Sequence, residues 1–149
     1  MLLRDALLAY AHFIAIFGIV ATLFAELAIY RSEMQATVAR RLQRIDLAFG
    51  LSAALVLLSG AGRLFFGLKG ANFYLQNPIF WTKISLFLIV GIISIWPTVH
   101  YLRWGPALQS GAPILEAPQQ FKKIRALVIA EILILLAIPL CATLMARGI

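Results

Sequence analysis

Four apolar stretches divide the chain, running from about Ala6 to Tyr30, Ile45 to Leu68, Phe80 to Leu102 and Ile124 to Ala146. A helix needs about 20 predominantly apolar residues to cross the hydrocarbon core of a bilayer, and each stretch meets that length. With 62% hydrophobic and 13% charged residues against about 25% charged in soluble domains, the composition is that of an integral membrane protein. Even spacing and short connections predict neighbouring antiparallel helices. The fold class expected is all-α, a single transmembrane domain over residues 1–149, built as an up-down-up-down four-helix bundle.

The net charge of +7 is distributed unevenly. Arg31, Arg40, Arg41 and Arg44 fall between the first two stretches, and Arg103, Lys122, Lys123 and Arg125 between the last two. Only Arg4, Lys69 and Arg147 flank the other side. Cytoplasmic loops carry the excess of Lys and Arg, so both basic loops are assigned to the cytoplasm and both termini to the outside. The expected location is the cytoplasmic (inner) membrane of a bacterial cell, crossed several times. The same distribution argues against nucleic acid as a partner, because no basic face with interleaved aromatics lies outside the apolar stretches. The first stretch is too long for a signal peptide and ends in Tyr30-Arg31 rather than in small residues, so it reads as a retained helix.

Loop chemistry agrees. Lys69-Gly70-Ala71-Asn72 and Gln76-Asn77-Pro78 are turn-rich, and Pro78 suits a helix entry. Phe73, Tyr74, Trp81, Tyr101 and Trp104 fall near the expected interfaces. Gly105 to Gln120, with Pro106, Pro113 and Pro118, reads as an irregular cytoplasmic loop. The second stretch carries small residues such as Gly50, Ser52, Ser59, Gly60 and Gly62, which let helices approach closely in lipid.

Against this apolar background the ionisable residues stand out. A charge at a bilayer centre costs roughly 2.5–3.5 kcal/mol on insertion scales, so such residues are rare unless they are used. His12, Arg63 and Lys83 sort to the outer side, while Glu26, Asp46, His100 and Glu131 sort to the cytoplasmic side, one per helix. Asp5, His12, Ile19 and Glu26 recur every seven residues, which keeps them near one helix face. Less specific roles stand beside the functional ones. Arg63 and Lys83 can snorkel to headgroups, His100 can be an interfacial polar residue beside Arg103, and Pro97 can be a simple kink or a device that turns His100 inward. The lone Cys141 cannot close an intrachain disulfide and reads as small apolar filler.

Histidine projecting into a four-helix bundle is a common way to hold haem b. His12 and His100 lie in opposite leaflets, roughly 20 Å apart by helix rise. Axial ligands of one iron sit about 4 Å apart, so this pair cannot clamp one haem within a single chain. His12 alone remains the candidate iron ligand, with Arg63 and Lys83 pairing carboxylates, either within one chain or across a homo-oligomer. The chain lacks CxxC and CxxCH, HxxxH, P-loop and Rossmann glycine patterns, and nucleophilic hydrolase signatures.

The segment Ala9-Tyr10-Ala11-His12-Phe13-Ile14, running on to Leu27, Tyr30 and Arg31, resembles the first helix of HemJ-type protoporphyrinogen oxidases. Trp81-Thr82-Lys83, leading on to His100, resembles their tryptophan–lysine–histidine order. The CopD membrane domain is distantly similar, and over its whole length the chain resembles a bacterial family of inner-membrane proteins of unknown function. The HemJ resemblance implies a small haem-associated four-helix membrane protein with His12 and Lys83 at its site.

Three functions are compatible with these residues. The first is a small redox protein that binds haem b or a porphyrin-like molecule through His12, Arg63 and Lys83. The second is an oligomeric proton-linked transporter or channel subunit with Glu26, His100 and Glu131 on the inner side and His12 on the outer side as a relay. The third is a scaffold whose polar residues only join helices. The lipid bilayer is the partner common to all three.

Overall fold

The computed structural model describes residues 2–67 and 70–147. Four long helices dominate: α1 (Leu2–Ile29), α2 (Ala36–Phe66), α4 (Pro78–Leu102) and α6 (Pro118–Ala146), with short helices α3 (Ala71–Leu75) and α5 (Gly105–Ser110) between them. All four long helices carry windows apolar and long enough to cross a membrane. The chain is an all-α four-helix membrane bundle.

The long helices start earlier than hydropathy alone places them. α2 begins at Ala36 rather than near Ile45, and its 31 residues span about 46 Å at 1.5 Å per residue. Ala36, Ala39, Leu42, Asp46 and Phe49 are all buried. That three-to-four-residue spacing is an amphipathic stripe, and it carries the helix past the hydrocarbon into the basic segment of Arg40, Arg41 and Arg44. α6 likewise starts at Pro118, the proline occupying a first-turn position where its missing N–H costs nothing. α4 opens as its sequence indicates, with the Asn77 side chain accepting from Ile79 N at 2.8 Å and Pro78 in the first turn. The expected end of the second stretch at Leu68, and Lys69 after it, lie outside the described residues.

The closest pairs are α1 with α2 and α4 with α6, and α1 also meets α6. Gly18 of α1 lies so near α2 that a Cβ there would fall 2.6 Å from Ser52 Oγ. The core is a column of Ala15, Ile19, Leu23, Val56, Val90 and Val128, while large residues such as Phe17, Leu58, Ile92 and Leu133 face outward, as lipid permits. Arg4 Nη2 donates to Phe66 O at 2.8 Å, so the start of α1 and the end of α2 share one end of the bundle.

The stretch from Gly105 to Gln120, expected to be irregular, is ordered. After α5, which closes on Gly111 in the left-handed conformation (φ 72°), strand β2 (Ile114–Leu115) pairs antiparallel with β1 (Glu33–Met34). Glu116 N donates to Ser32 O at 2.8 Å, extending this ribbon. The two basic loops are thereby tied together at the opposite end. There, basic and amide side chains donate to carbonyls at or just beyond the helix ends. Arg31 Nη1 donates to Tyr30 O (3.0 Å), Arg40 Nη2 to Leu108 O (2.6 Å) and Gln43 Nε2 to Tyr101 O (2.7 Å). Lys123 Nζ sits 3.6 Å from the centroid of the Trp96 ring, a cation–π contact.

Candidate functional site

The outer cluster forms where α1, α2 and α4 approach one another. His12 Nδ1 lies 2.9 Å from Ser59 Oγ. Ser59 Oγ in turn donates to Leu55 O at 2.5 Å, a back-bond along its own helix. A hydroxyl has one proton. Once that proton is directed at Leu55 O, Ser59 can only accept from the imidazole, so Nδ1 carries the hydrogen and Nε2 keeps its lone pair. The Val56 carbonyl also lies on the hydrogen-bonding side of His12, consistent with an Nδ1–H donor. Gly60 makes room for the ring, since a Cβ there would meet His12 Cε1 at 3.4 Å.

Arg63 and Lys83 are both within electrostatic reach of His12 and of each other. All three side chains are half-buried. Lys83 Nζ stands 5.7 Å from the Phe80 ring centroid. Asp5 closes the outer end of the same α1 face, its Oδ1 beside Gly67. Cys141, read from sequence as apolar filler, lies close enough to Lys83 to interact with it electrostatically. The three predicted outer residues are therefore brought together, and Ser59 and Cys141 join them. Ser59 left a faint trace in the sequence, as one polar residue in a run of small ones.

The inner group divides. Glu26 of α1, Asp46 of α2 and Glu131 of α6 come within mutual electrostatic reach. All three are buried, Glu26 and Glu131 almost completely, at 2% and 1% exposure. Asp46 Oδ1 accepts from Thr98 Oγ1 at 2.8 Å. The fourth position is held by Tyr101, whose hydroxyl faces Glu26, and not by His100. The two residues are neighbours on α4, and one residue turns a helix by about 100°, so they point in different directions.

His100 belongs to a separate constellation nearer the basic loops. Its Nε2 donates to Glu116 Oε1 at 2.9 Å, and Trp104 Nε1 donates to the same oxygen at 3.0 Å. Gln120 Nε2 lies 3.3 Å from His100 Nδ1, which makes Nδ1 the acceptor and Nε2 the donor. Glu116 was not singled out by sequence, because it lies in the segment read as an irregular loop. Between this constellation and the carboxyls sits Tyr30, stacked with Trp104 and against Tyr101 and Phe121. Burial, then Glu116 and Glu26, push the Tyr30 phenol well above its ordinary range, so it remains an O–H donor.

Small cavities lie among the helices of the described residues. One of about 110 Å³ is lined by Ile19, Phe49, Ala53, Phe87, Val90 and Ser94, and a far smaller one lies between α1 and α6. Neither borders His12 or the buried carboxyls.

No curated protein and no solved structure matches the chain. A family model described as Predicted membrane protein (DUF2214) matches residues 4–149. With four membrane-length helices and a match across nearly its whole length, the chain belongs to the DUF2214 family of membrane proteins.

Proposed function

We propose that the outer cluster binds a haem or porphyrin-like tetrapyrrole, and that the protein is a small redox protein of the bacterial cytoplasmic membrane, related in function to the HemJ-type oxidases it resembles. One observation carries this reading. His12 Nδ1 lies 2.9 Å from Ser59 Oγ, whose own proton is directed at Leu55 O, and Arg63 and Lys83 are within electrostatic reach of the ring.

The donors suit the ligand. A neutral imidazole nitrogen is a strong haem ligand and a competent proton acceptor. Arg63 and Lys83 supply two positive charges for two propionate carboxylates, where a charge-assisted hydrogen bond is about twice as strong as a neutral one. The Ser59 hydroxyl stands behind the ring, where such a partner orients the imidazole and raises its basicity. Haem, when bound, supplies one-electron chemistry; the chain positions it, balances its carboxylates and offers Nε2. His12 is the one histidine of this cluster, so any further iron ligand would come from a second copy or from a substrate.

The decisive measurement is an absorption spectrum of detergent-purified protein, air-oxidised and dithionite-reduced, with and without added haem. A Soret band that H12A abolishes supports the proposal. S59A should weaken haem binding by about 10-fold, the lower end for loss of a group that orients a metal ligand. R63Q and K83Q should each weaken binding of a porphyrin dicarboxylate and leave binding of its dimethyl ester unchanged. Absence of both haem and porphyrin binding in the folded protein rejects it.

A further inference from the structure

The buried carboxyl group of residues on the other side of the bundle has no part in that proposal and presents an unusual deficit of hydrogen bonds. Glu26 Oε1, Glu131 Oε1 and Tyr30 Oη are buried and without a hydrogen-bond partner among the described residues, while the Tyr101 hydroxyl is directed at Glu26. Tyr30 and Tyr101 are as fully buried as the two glutamates, at 1% and 0% exposure. Buried polar atoms are nearly always paired, and leaving one unpaired costs about 1–3 kcal/mol. Three such atoms in one region, from α1, α6 and the residue just after α1, are not packing filler.

The groups facing this centre come from every long helix. α1 contributes Glu26, with Tyr30 just beyond its end, α2 contributes Asp46, α4 contributes Thr98 and Tyr101, and α6 contributes Glu131. Among the described residues no lysine or arginine forms an ion pair with any of the three carboxyls. The nearby bases are turned to backbone carbonyls instead, Arg31 to Tyr30 O and Arg125 to Leu27 O. Nor do any three His, Cys, Asp or Glu side chains among the described residues converge as a metal would require. Three uncompensated negative charges in a low-dielectric interior would repel one another strongly. A proton relieves both problems at once, because it removes a charge and converts a carboxylate oxygen from acceptor into donor.

We infer that Glu26, Asp46 and Glu131 form a proton-binding centre, loaded from the end of the bundle that carries the basic loops. In the loading step a proton from water forms an O–H bond at a carboxylate oxygen and lowers the negative charge of the centre by one. The Tyr30 phenol lies within electrostatic reach of both Glu26 and Glu116 without a hydrogen bond to either, so a proton passing it crosses by bridging water. Glu116 is bonded to His100, whose side chain is 16% exposed. Toward the opposite end, Ala15, Ile19, Leu23 and Val56 present apolar atoms, with a cavity of about 110 Å³ beside Ile19. The centre is separate from His12, about 21 Å away along α1 at 1.5 Å per residue.

The test is infrared spectroscopy of the full chain in lipid nanodiscs, titrated with pH and repeated in deuterium oxide. A protonated-carboxyl C=O band that disappears on alkalinisation, shifts in deuterium oxide, and is lost or displaced in E26Q, D46N or E131Q supports the centre. A wild-type protein with no such titrating band, or a band that all three variants leave unchanged, overturns it. The wild-type titration decides the matter even if a variant fails to fold. After a pH jump, Y30F and E116Q should slow the change in that band several-fold; unaltered rates overturn the proposed route. E26Q should leave tetrapyrrole binding intact, so the two sites succeed or fail separately.

Discussion

Glu116 Oε1 accepts hydrogen bonds from His100 Nε2 at 2.9 Å and from Trp104 Nε1 at 3.0 Å, and so fastens the second basic loop to the end of α4. The ribbon of β1 and β2 delivers Glu116 to that position, since Glu116 N is itself bonded to Ser32 O. E116A leaves the buried Trp104 donor and the part-buried His100 donor without an acceptor and should cost about 1–3 kcal/mol, the range for orphaned polar groups. E116Q retains one acceptor oxygen and should cost less. Limited proteolysis of the segment from Gly105 to Ala117, compared across wild type, E116Q and E116A, reads the difference as increasing cleavage in that order.

The contact between α1 and α2 is tight at one glycine and open at another. A Cβ at Gly18 would lie 2.6 Å from Ser52 Oγ, whereas a Cβ at Gly50 meets nothing within 4 Å. G18L should therefore destabilise the bundle by at least about 1–3 kcal/mol through overpacking. G50A should be neutral or slightly stabilising, since alanine is favoured over glycine in a helix by up to about 1 kcal/mol. Thermal unfolding in detergent should separate the two, with a lowered midpoint for G18L alone.

Orientation is open to a chemical check. The positive-inside rule predicts Ser110 in the cytoplasm and Asn72 outside. In a C141S background, S110C should resist a membrane-impermeant thiol reagent in intact cells and react after lysis, while N72C should react in both. The opposite pattern would invert the assignment.

The Tyr30 phenol is raised by burial, with Glu116 and Glu26 adding to it. An acid whose folded-state value lies above its unfolded value contributes stability in full below the unfolded value, and loses it as pH rises toward the folded one. Tyrosine in an unfolded chain titrates at about 10. Stability should therefore fall above about that pH, and less steeply in Y30F. Denaturation midpoints measured at mildly and strongly alkaline pH test the sign; an equal loss in Y30F would show that Tyr30 is not the group responsible.

Much of this protein is legible in its sequence because lipid imposes simple rules. Four runs of apolar residues specify four helices, and the seven-residue recurrence of Asp5, His12, Ile19 and Glu26 specifies the inward face of α1, where Ile19 and Glu26 are indeed buried. Helix rise alone separates His12 from His100 and places His12, Arg63 and Lys83 at one depth. Hydropathy could not show where α2 and α6 begin, because their first turns are polar on one side and lie beyond the apolar core. Nor could depth decide which side chains meet. His100 and Tyr101 share a level but differ in direction, and only the rotation of α4 against α1 sets Tyr101 against Glu26 and His100 against Glu116. Ser59 acquires its role through its distance to an imidazole 47 positions away, and Glu116 through a two-strand ribbon between loops. Hydrophobic length is a property of a segment and can be read along the chain; a hydrogen bond between distant residues is a property of packing and exists only once the helices have docked.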